Sequence, residues 1–320
     1  MDTTRRGFLK MAGLAAGAVA ASGAVGAQEA TGEVRWKTGL GLNGFMSSAG
    51  DYHKTYPIWE VLDFATVEGF DGIELVEGWP MGGYPGPDEA GRIASLRRLY
   101  DLYGLQVYTI QTGGAGAYVA SADGRKEWLA RFADTVRLCR ALGCDFVGHW
   151  PGGPLAGNAD VDEAIKNLAS SYREAAAMCA DAGMYLSFEI EPPFIFNTPE
   201  HLEKILAGAN HPACKTNYDP SHFDVMWGSK GHPEEMLARI GVEHIGHVHL
   251  TDTDGTIFGG TSKHLACGDG HCDMAASLEV LWNGGYRGWI MIDGWKIEDV
   301  YDAAHKGKVA IDAAVARHGA

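Results

Sequence analysis

The chain has 320 residues, a formal net charge of −15 and a hydrophobic fraction of 46%. An acidic balance of this size argues against a polyanion partner such as nucleic acid and suits a neutral small substrate or held cations. The length is enough to bury a sizeable core, as one large domain or two small ones.

The N-terminal segment Thr4-Arg5-Arg6-Gly7-Phe8-Leu9-Lys10 resembles the bacterial twin-arginine export signal. An Ala/Gly-rich apolar run follows from Met11 to Val25, and Val25-Gly26-Ala27 offers small residues for cleavage. The run is too short and too glycine-rich to span a bilayer, and the order of charged, apolar and small regions is that of a removed signal. The expectation is a signal peptide over 1–27, a mature domain over 28–320, a periplasmic or exported location, and no stable membrane anchor after signal removal. This export route carries proteins already folded, often with a cofactor bound.

Beyond the signal, "VRWKTGLGLNG" reads as an opening strand, and then one unit recurs. An amphipathic stretch ends near a glycine and a short apolar run follows at once. "YPIWEVLDFATVEG" precedes "FDGIELVEG", "PDEAGRIASLRRLYDLYG" precedes "LQVYTIQTGG", and "RKEWLARFADTVRLCRALG" precedes "CDFVGHWPGG". "DEAIKNLASSYREAAAMCADAG" precedes "MYLSFEIEP", "TPEHLEKILAGA" precedes "ACKTNYDP", "PEEMLARI" precedes "HIGHVHLTD", and "MAASLEVLWNGG" precedes "YRGWIMIDG". The long stretches carry apolar residues at helical spacing, and the short runs have strand length and composition. Alternation of this kind predicts a parallel sheet. Eight strands, with a final helix in "IEDVYDAAHKGKVAIDAAVARH", give the count of a single (β/α)8 barrel. A doubly wound open sheet is the alternative, weakened by the lack of a G-x-G-x-x-G turn after the first strand.

In such a barrel the active site lies at the C-terminal ends of the strands. Those ends read Glu74, Gln111, His149, the pair Glu189 and Glu191, Asp219 with His222 just beyond, the pair His247 and His249, and Asp293. Charged residues on apolar strands are expensive to bury unless paired or metal-bound, and here they gather at one end of nearly every strand. Glu189, Asp219, His249 and Asp293 form an oxygen-rich set with one nitrogen. That set suits Mn²⁺, Mg²⁺ or Co²⁺ better than a structural Zn²⁺. Glu191 and His247 share strand faces with Glu189 and His249, so each is a rival for the ligand role. The six cysteines lack zinc-finger spacing. Cys267 and Cys272 are left as a disulfide, a metal pair or a turn.

"GFDGIELVEG" (69–78), "GMYLSFEIEPPFIFNTPEHL" (183–202), "YDPSHF" (218–223), "IGHVHLTD" (245–252) and "GDGHCDMAASLEVLWNGGYRGWIMID" (268–293) together resemble the sugar phosphate isomerase/epimerase family. This is the xylose isomerase-like TIM barrel superfamily, which also holds ketose 3-epimerases, inosose dehydratases and endonuclease IV. The resemblance implies metal ligation by Glu189, Asp219, His249 and Asp293. It implies substrate contact by His222 and places His149 where some members have a further metal or substrate histidine; the strand-end residues Glu74, Glu191 and His247, with Trp150, are further candidate substrate contacts. The acid/base groups it implies are Glu189 and Asp293, and the chemistry makes Glu189 the candidate base with Asp293 or His222 as partner. The family usually closes its last strand with Glu where Asp293 stands, and often has a lysine where Thr251 stands. Trp79, Trp150, Trp227 and Trp295 lie near strand ends, where indole rings can stack on sugars.

The expected activity is a divalent-metal-dependent isomerase or epimerase acting on a free sugar or keto-sugar. A lyase or dehydratase acting on 3-keto-glycosides or inosose shares the same site and is the first alternative. A non-catalytic periplasmic sugar-binding protein is the alternative of another class, and a metal-dependent endonuclease is disfavoured by charge and export. The expected partner is a small carbohydrate, and a homo-oligomer is left open.

Overall fold

The computed structural model describes residues 35–76, 83–153 and 160–319; the expected signal at 1–27 and Trp79 lie outside the described residues. Eight parallel strands close into a barrel: β1 (Lys37–Gly41), β2 (Gly72–Val76), β3 (Gln106–Gly113), β4 (Phe146–Trp150), β5 (Tyr185–Phe188), β6 (Cys214–Tyr218), β7 (Ile245–Leu250) and, after a two-stranded hairpin of β8 (Ile257–Phe258) and β9 (Thr261–Ser262), β10 (Trp289–Ile292). β10 closes the ring by pairing with both β1 and β7. The expected (β/α)8 barrel is therefore the architecture found, with the β8–β9 hairpin inserted on its upper rim.

The helices form where the sequence period and the caps agree. α4 (Ala122–Leu142) starts where the Ser121 side chain accepts from Gly124 N–H, and it ends at Gly143, whose φ of 85° only glycine adopts at little cost. α5 (Val161–Asp181) is capped by Asp160, and α6 (Pro199–Ala209) by Thr198 with proline in its first turn. Two helices were not expected from periodicity. α1 (Leu42–Asp51) follows β1 directly, and α7 (Pro220–Met226) starts on the "DPSH" turn after β6. Among the described residues no helix is long and apolar enough to cross a membrane.

The barrel interior is layered. Tyr108, Phe146, Trp289 and Met291 make a closed apolar layer at the base, with Tyr108 stacked on Trp289 at 3.9 Å. Gly39 leaves room for this layer, since a Cβ there would collide with the Tyr108 ring. Above it the interior turns polar. All six cysteines are free thiols, so Cys267 and Cys272 do not form a disulfide.

Candidate functional site

Glu189 and Glu191 follow β5, Asp219 follows β6, His249 lies near the end of β7, and Asp293 follows β10. Strand alternation points each of these into the barrel mouth. Glu189 is held by three neighbours. Asn217 Nδ2 donates to its Oε1 at 2.7 Å, Gln111 Nε2 approaches its Oε2 at 3.4 Å, and His249 Nδ1 stands 3.0 Å from Oε1. Gly148 lets Gln111 reach this position, because a Cβ there would collide with the Gln111 amide oxygen.

Asp219 divides its two oxygens. Oδ1 accepts from Ser221 N–H at 2.8 Å and His222 N–H at 3.2 Å, capping α7, while Oδ2 is buried with no hydrogen-bond partner. His249 Nδ1 is likewise buried without an aligned partner. The ligand-type atoms of Glu189, Asp219 and His249 lie within 4.8 Å of one another, and Asp293 Oδ2 is 3.8 Å from His249 Nδ1.

The electrostatics are lopsided. Glu74, Glu189, Asp219 and Asp293 are buried and Glu191 nearly so, and among the described residues their ion-pair partners are all histidines. Burial pushes the Asp219 carboxyl well up, and the charges of Glu189 and Asp293 push it further. Burial and the neighbouring Glu189 do the same to Glu191. Burial also works to raise Glu189, but the facing His249 outweighs it and holds that carboxyl down to about 2. For His249 burial favours the neutral ring, and the carboxylates of Glu189 and Glu74 overcome it, so its pKa rises. A nest of buried carboxylates with orphaned oxygen and nitrogen atoms lacks compensating positive charge. Glu189, Asp219, His249 and Asp293 are therefore a donor set able to hold a divalent cation, and the orphaned Asp219 Oδ2 and His249 Nδ1 fit that role.

His222 completes the cluster from α7. Its Nε2 lies 3.8 Å from Glu189, Glu191 and Asp219, and its Nδ1 is 2.6 Å from Ser262 Oγ. Burial lowers its pKa to about 3, so the ring is neutral. Above the cluster opens a cavity of about 410 Å³, lined by Glu189, Glu191, His264 and Asp293 and walled by Trp150, Phe194 and Trp295. Two hollows of about 690 and 600 Å³ lie at the opposite end of the barrel, around Lys215 and Glu243, away from the carboxylate cluster.

Three expected substrate-side residues are elsewhere. His149 faces the helical layer: Trp128 Nε1 donates to its Nε2 at 3.2 Å, and its Nδ1 pairs with Tyr172 Oη at 2.8 Å. Within β4 it is Phe146, Gly148 and Trp150 that alternate inward, so His149 points outward. Glu74 and His247 do face inward but one layer too deep. Glu74 Oε2 lies 3.3 Å from His249 Nε2 and 3.5 Å from His247 Nδ1, and His247 Nε2 is 3.4 Å from Tyr108 Oη. Trp150 does line the cavity, whereas Trp227 sits outside it, donating to Glu235. Ser262 and His264, brought in by the β8–β9 hairpin and the residues after it, carried no strand-end signal and were not anticipated. Asp224, His271 and Cys272 also meet outside the cleft, but both Asp224 oxygens are used, by Gly231 N–H and His271.

A family model described as xylose isomerase-like TIM barrel matches residues 62–312. An inosose dehydratase of Glaesserella parasuis serovar 5 is 23% identical over 270 residues, covering 73% of this chain and 87% of that protein. The uncharacterized protein MJ1311 of Methanocaldococcus jannaschii is 30% identical over 142 residues, 43% of this chain, and the match spans about half of that protein, 46%. Among solved structures, an IolI protein with a bound zinc atom superposes with a TM-score of 0.69 at 17% identity, covering 88% of this chain and 98% of that one. An L-ribulose 3-epimerase superposes at 0.68 with 18% identity, covering 89% and 97%. At these identities the structures share the fold.

Proposed function

The chain belongs to the xylose isomerase-like TIM barrel family, and on that premise we propose that it is a divalent-metal-dependent sugar isomerase or epimerase acting on a free sugar or keto-sugar. The observation that carries this reading is the buried cluster of Glu189, Asp219, His249 and Asp293, with Asp219 Oδ2 unpartnered and His249 Nδ1 facing Glu189 without an aligned hydrogen bond beneath the cavity floor. Epimerase and inosose dehydratase relatives support it, and the zinc in the IolI structure supports a divalent ion. An ion bound there supplies Lewis acidity toward a ketone oxygen.

The chain's own residues supply the rest. Glu189, kept ionised by its histidine neighbours, is the base that takes a proton from the carbon beside the carbonyl. His222 or Asp293 is the group that returns it. Asn217 and Gln111 fix the Glu189 rotamer, and the Trp150–Phe194 wall excludes water from one side of the cleft. Return of the proton to the same carbon from the other face gives an epimer, and return to the neighbouring carbon gives an isomer.

A lyase or dehydratase is the second reading, favoured by the inosose dehydratase match over 73% of the chain. The same proton abstraction then ends in loss of a β-substituent. In keeping with the signal-like residues 1–27, we place the mature domain, 28–320, in the periplasm or outside the cell.

The test is proton NMR in D₂O with Mn²⁺-exchanged and then Mg²⁺-bound protein, on free ketoses, inosose and 3-keto-glucosides, with a chelated control. Metal-dependent loss of one C–H signal is expected, and its position separates epimerase, isomerase and lyase. Heat protection by these compounds with no exchange would instead make the protein a sugar-binding protein.

A further inference from the structure

His264 stands apart from every other buried polar side chain in the described residues: both of its ring nitrogens lack a hydrogen-bond partner. The residue is only 7% exposed, yet it lines the cavity. Its position is set by packing. The ring meets Trp295 edge-on at 5.5 Å and lies 5.3 Å from the His222 ring, and its Nδ1 is 3.8 Å from Asp293 Oδ2, too far for a hydrogen bond. Asp293 in turn accepts from Trp295 N–H at 2.9 Å, so the wall and the cluster hold each other.

Burying two polar nitrogens without partners destabilises the protein, and such a group persists where its partner arrives from outside. The surroundings say what that partner is. Its two open ring nitrogens let the imidazole donate one hydrogen bond and accept another. A hydroxyl matches both. An anion does not, because the same cavity presents the carboxylates of Glu189, Glu191 and Asp293. We propose that His264 is a substrate-recognition residue that hydrogen-bonds a hydroxyl of an uncharged polyhydroxylated substrate, selecting against phosphorylated sugars. This inference rests on the cleft being a sugar site. Asp219, His222 and His264 are also close enough to hold an ion. However, Asp219 Oδ2 already belongs with Glu189 and His249, so the hydroxyl is the better partner.

Two measurements on the full mature protein test it. In thermal unfolding of the ligand-free protein, H264F keeps the ring volume and removes both orphaned nitrogens, so its Tm is expected at or above that of the wild type. A Tm several degrees lower would mean that His264 is structural and would overturn the proposal. In calorimetric titration of metal-loaded protein with D-allulose, scyllo-inosose and methyl 3-keto-glucoside, the tightest of the three is expected to bind H264A at least tenfold more weakly. H264Q, which keeps a donor and an acceptor, should recover part of that loss, with metal content per chain unchanged in both variants. Equal affinity of H264A and wild type would sink the His264 assignment alone, and loss of one ion per chain in H264A would make it a ligand instead. Failure of wild type to bind any of the three would remove the sugar-site reading and this inference with it.

Discussion

Glu74 Oε2 lies 3.3 Å from His249 Nε2, on the ring edge opposite the Nδ1 that faces Glu189. A carboxylate behind a histidine fixes its ring and tautomer and sharpens the far nitrogen as a ligand. Glu74→Gln is therefore expected to lower affinity for a divalent ion about 10- to 100-fold while leaving the cavity intact. Competition with a chromophoric chelator measures this, and unchanged affinity would detach Glu74 from the ion site.

Asp219 and His222 separate two roles. Asp219→Ala is expected to abolish metal retention and turnover together, and to cost about 1 kcal/mol through the lost cap on α7. Asp219→Asn keeps an oxygen for that cap and relieves repulsion from Glu189 and Asp293, so its chelated form should melt above the chelated wild type. His222→Ala should keep the metal and lose turnover. Metal analysis beside differential scanning calorimetry checks all three, and full activity in both alanine variants would show the site to be misassigned.

His149 makes a prediction about acid stability. Trp Nε1 only donates, so His149 Nε2 accepts and its Nδ1 carries the proton toward Tyr172 Oη. Burial lowers its pKa from 6.5 to about 3. The unfolded chain takes this proton below about 6.5, whereas the folded protein refuses it until about 3, so stability falls as pH drops through that window. His149→Phe should be less stable at pH 7.5 by about 1–3 kcal/mol, from the stranded Trp128 donor and the stranded Tyr172 hydroxyl, but lose less on going from pH 6.5 to 4. Urea unfolding at a series of pH values tests this, and parallel acid limbs would count against it.

Gly148→Ala places a Cβ on the Gln111 amide oxygen, the far end of a flexible side chain. The expected outcome is a displaced Gln111, a small change in Tm, and a kcat reduced severalfold because Glu189 loses one support. A large fall in Tm with unchanged kcat would show that the strand backbone, and not Gln111, absorbs the clash.

The barrel was legible because each helix–glycine–strand unit carries its own period, and the cluster was legible because a carboxylate closing an apolar run is costly anywhere except at a barrel mouth. Parity and depth were harder to read. Counting in twos from the inward Phe146 reaches Gly148 and Trp150 and skips His149, a rule available in the sequence once one inward residue is known. Depth needs the structure: His247 has the right parity but sits two residues, about 6–7 Å, below His249. Ser262 belongs to an inserted hairpin and His264 to the residues just after it, and no local pattern specifies their path.

The Tyr108–Trp289 stack at the base of the barrel makes the fold a cup and not a tube. Whatever enters over His264 and Trp150 must leave the same way. Incoming and outgoing molecules therefore share one opening. An ion seated on Asp219 and His249 would exchange only while the cleft above it is empty.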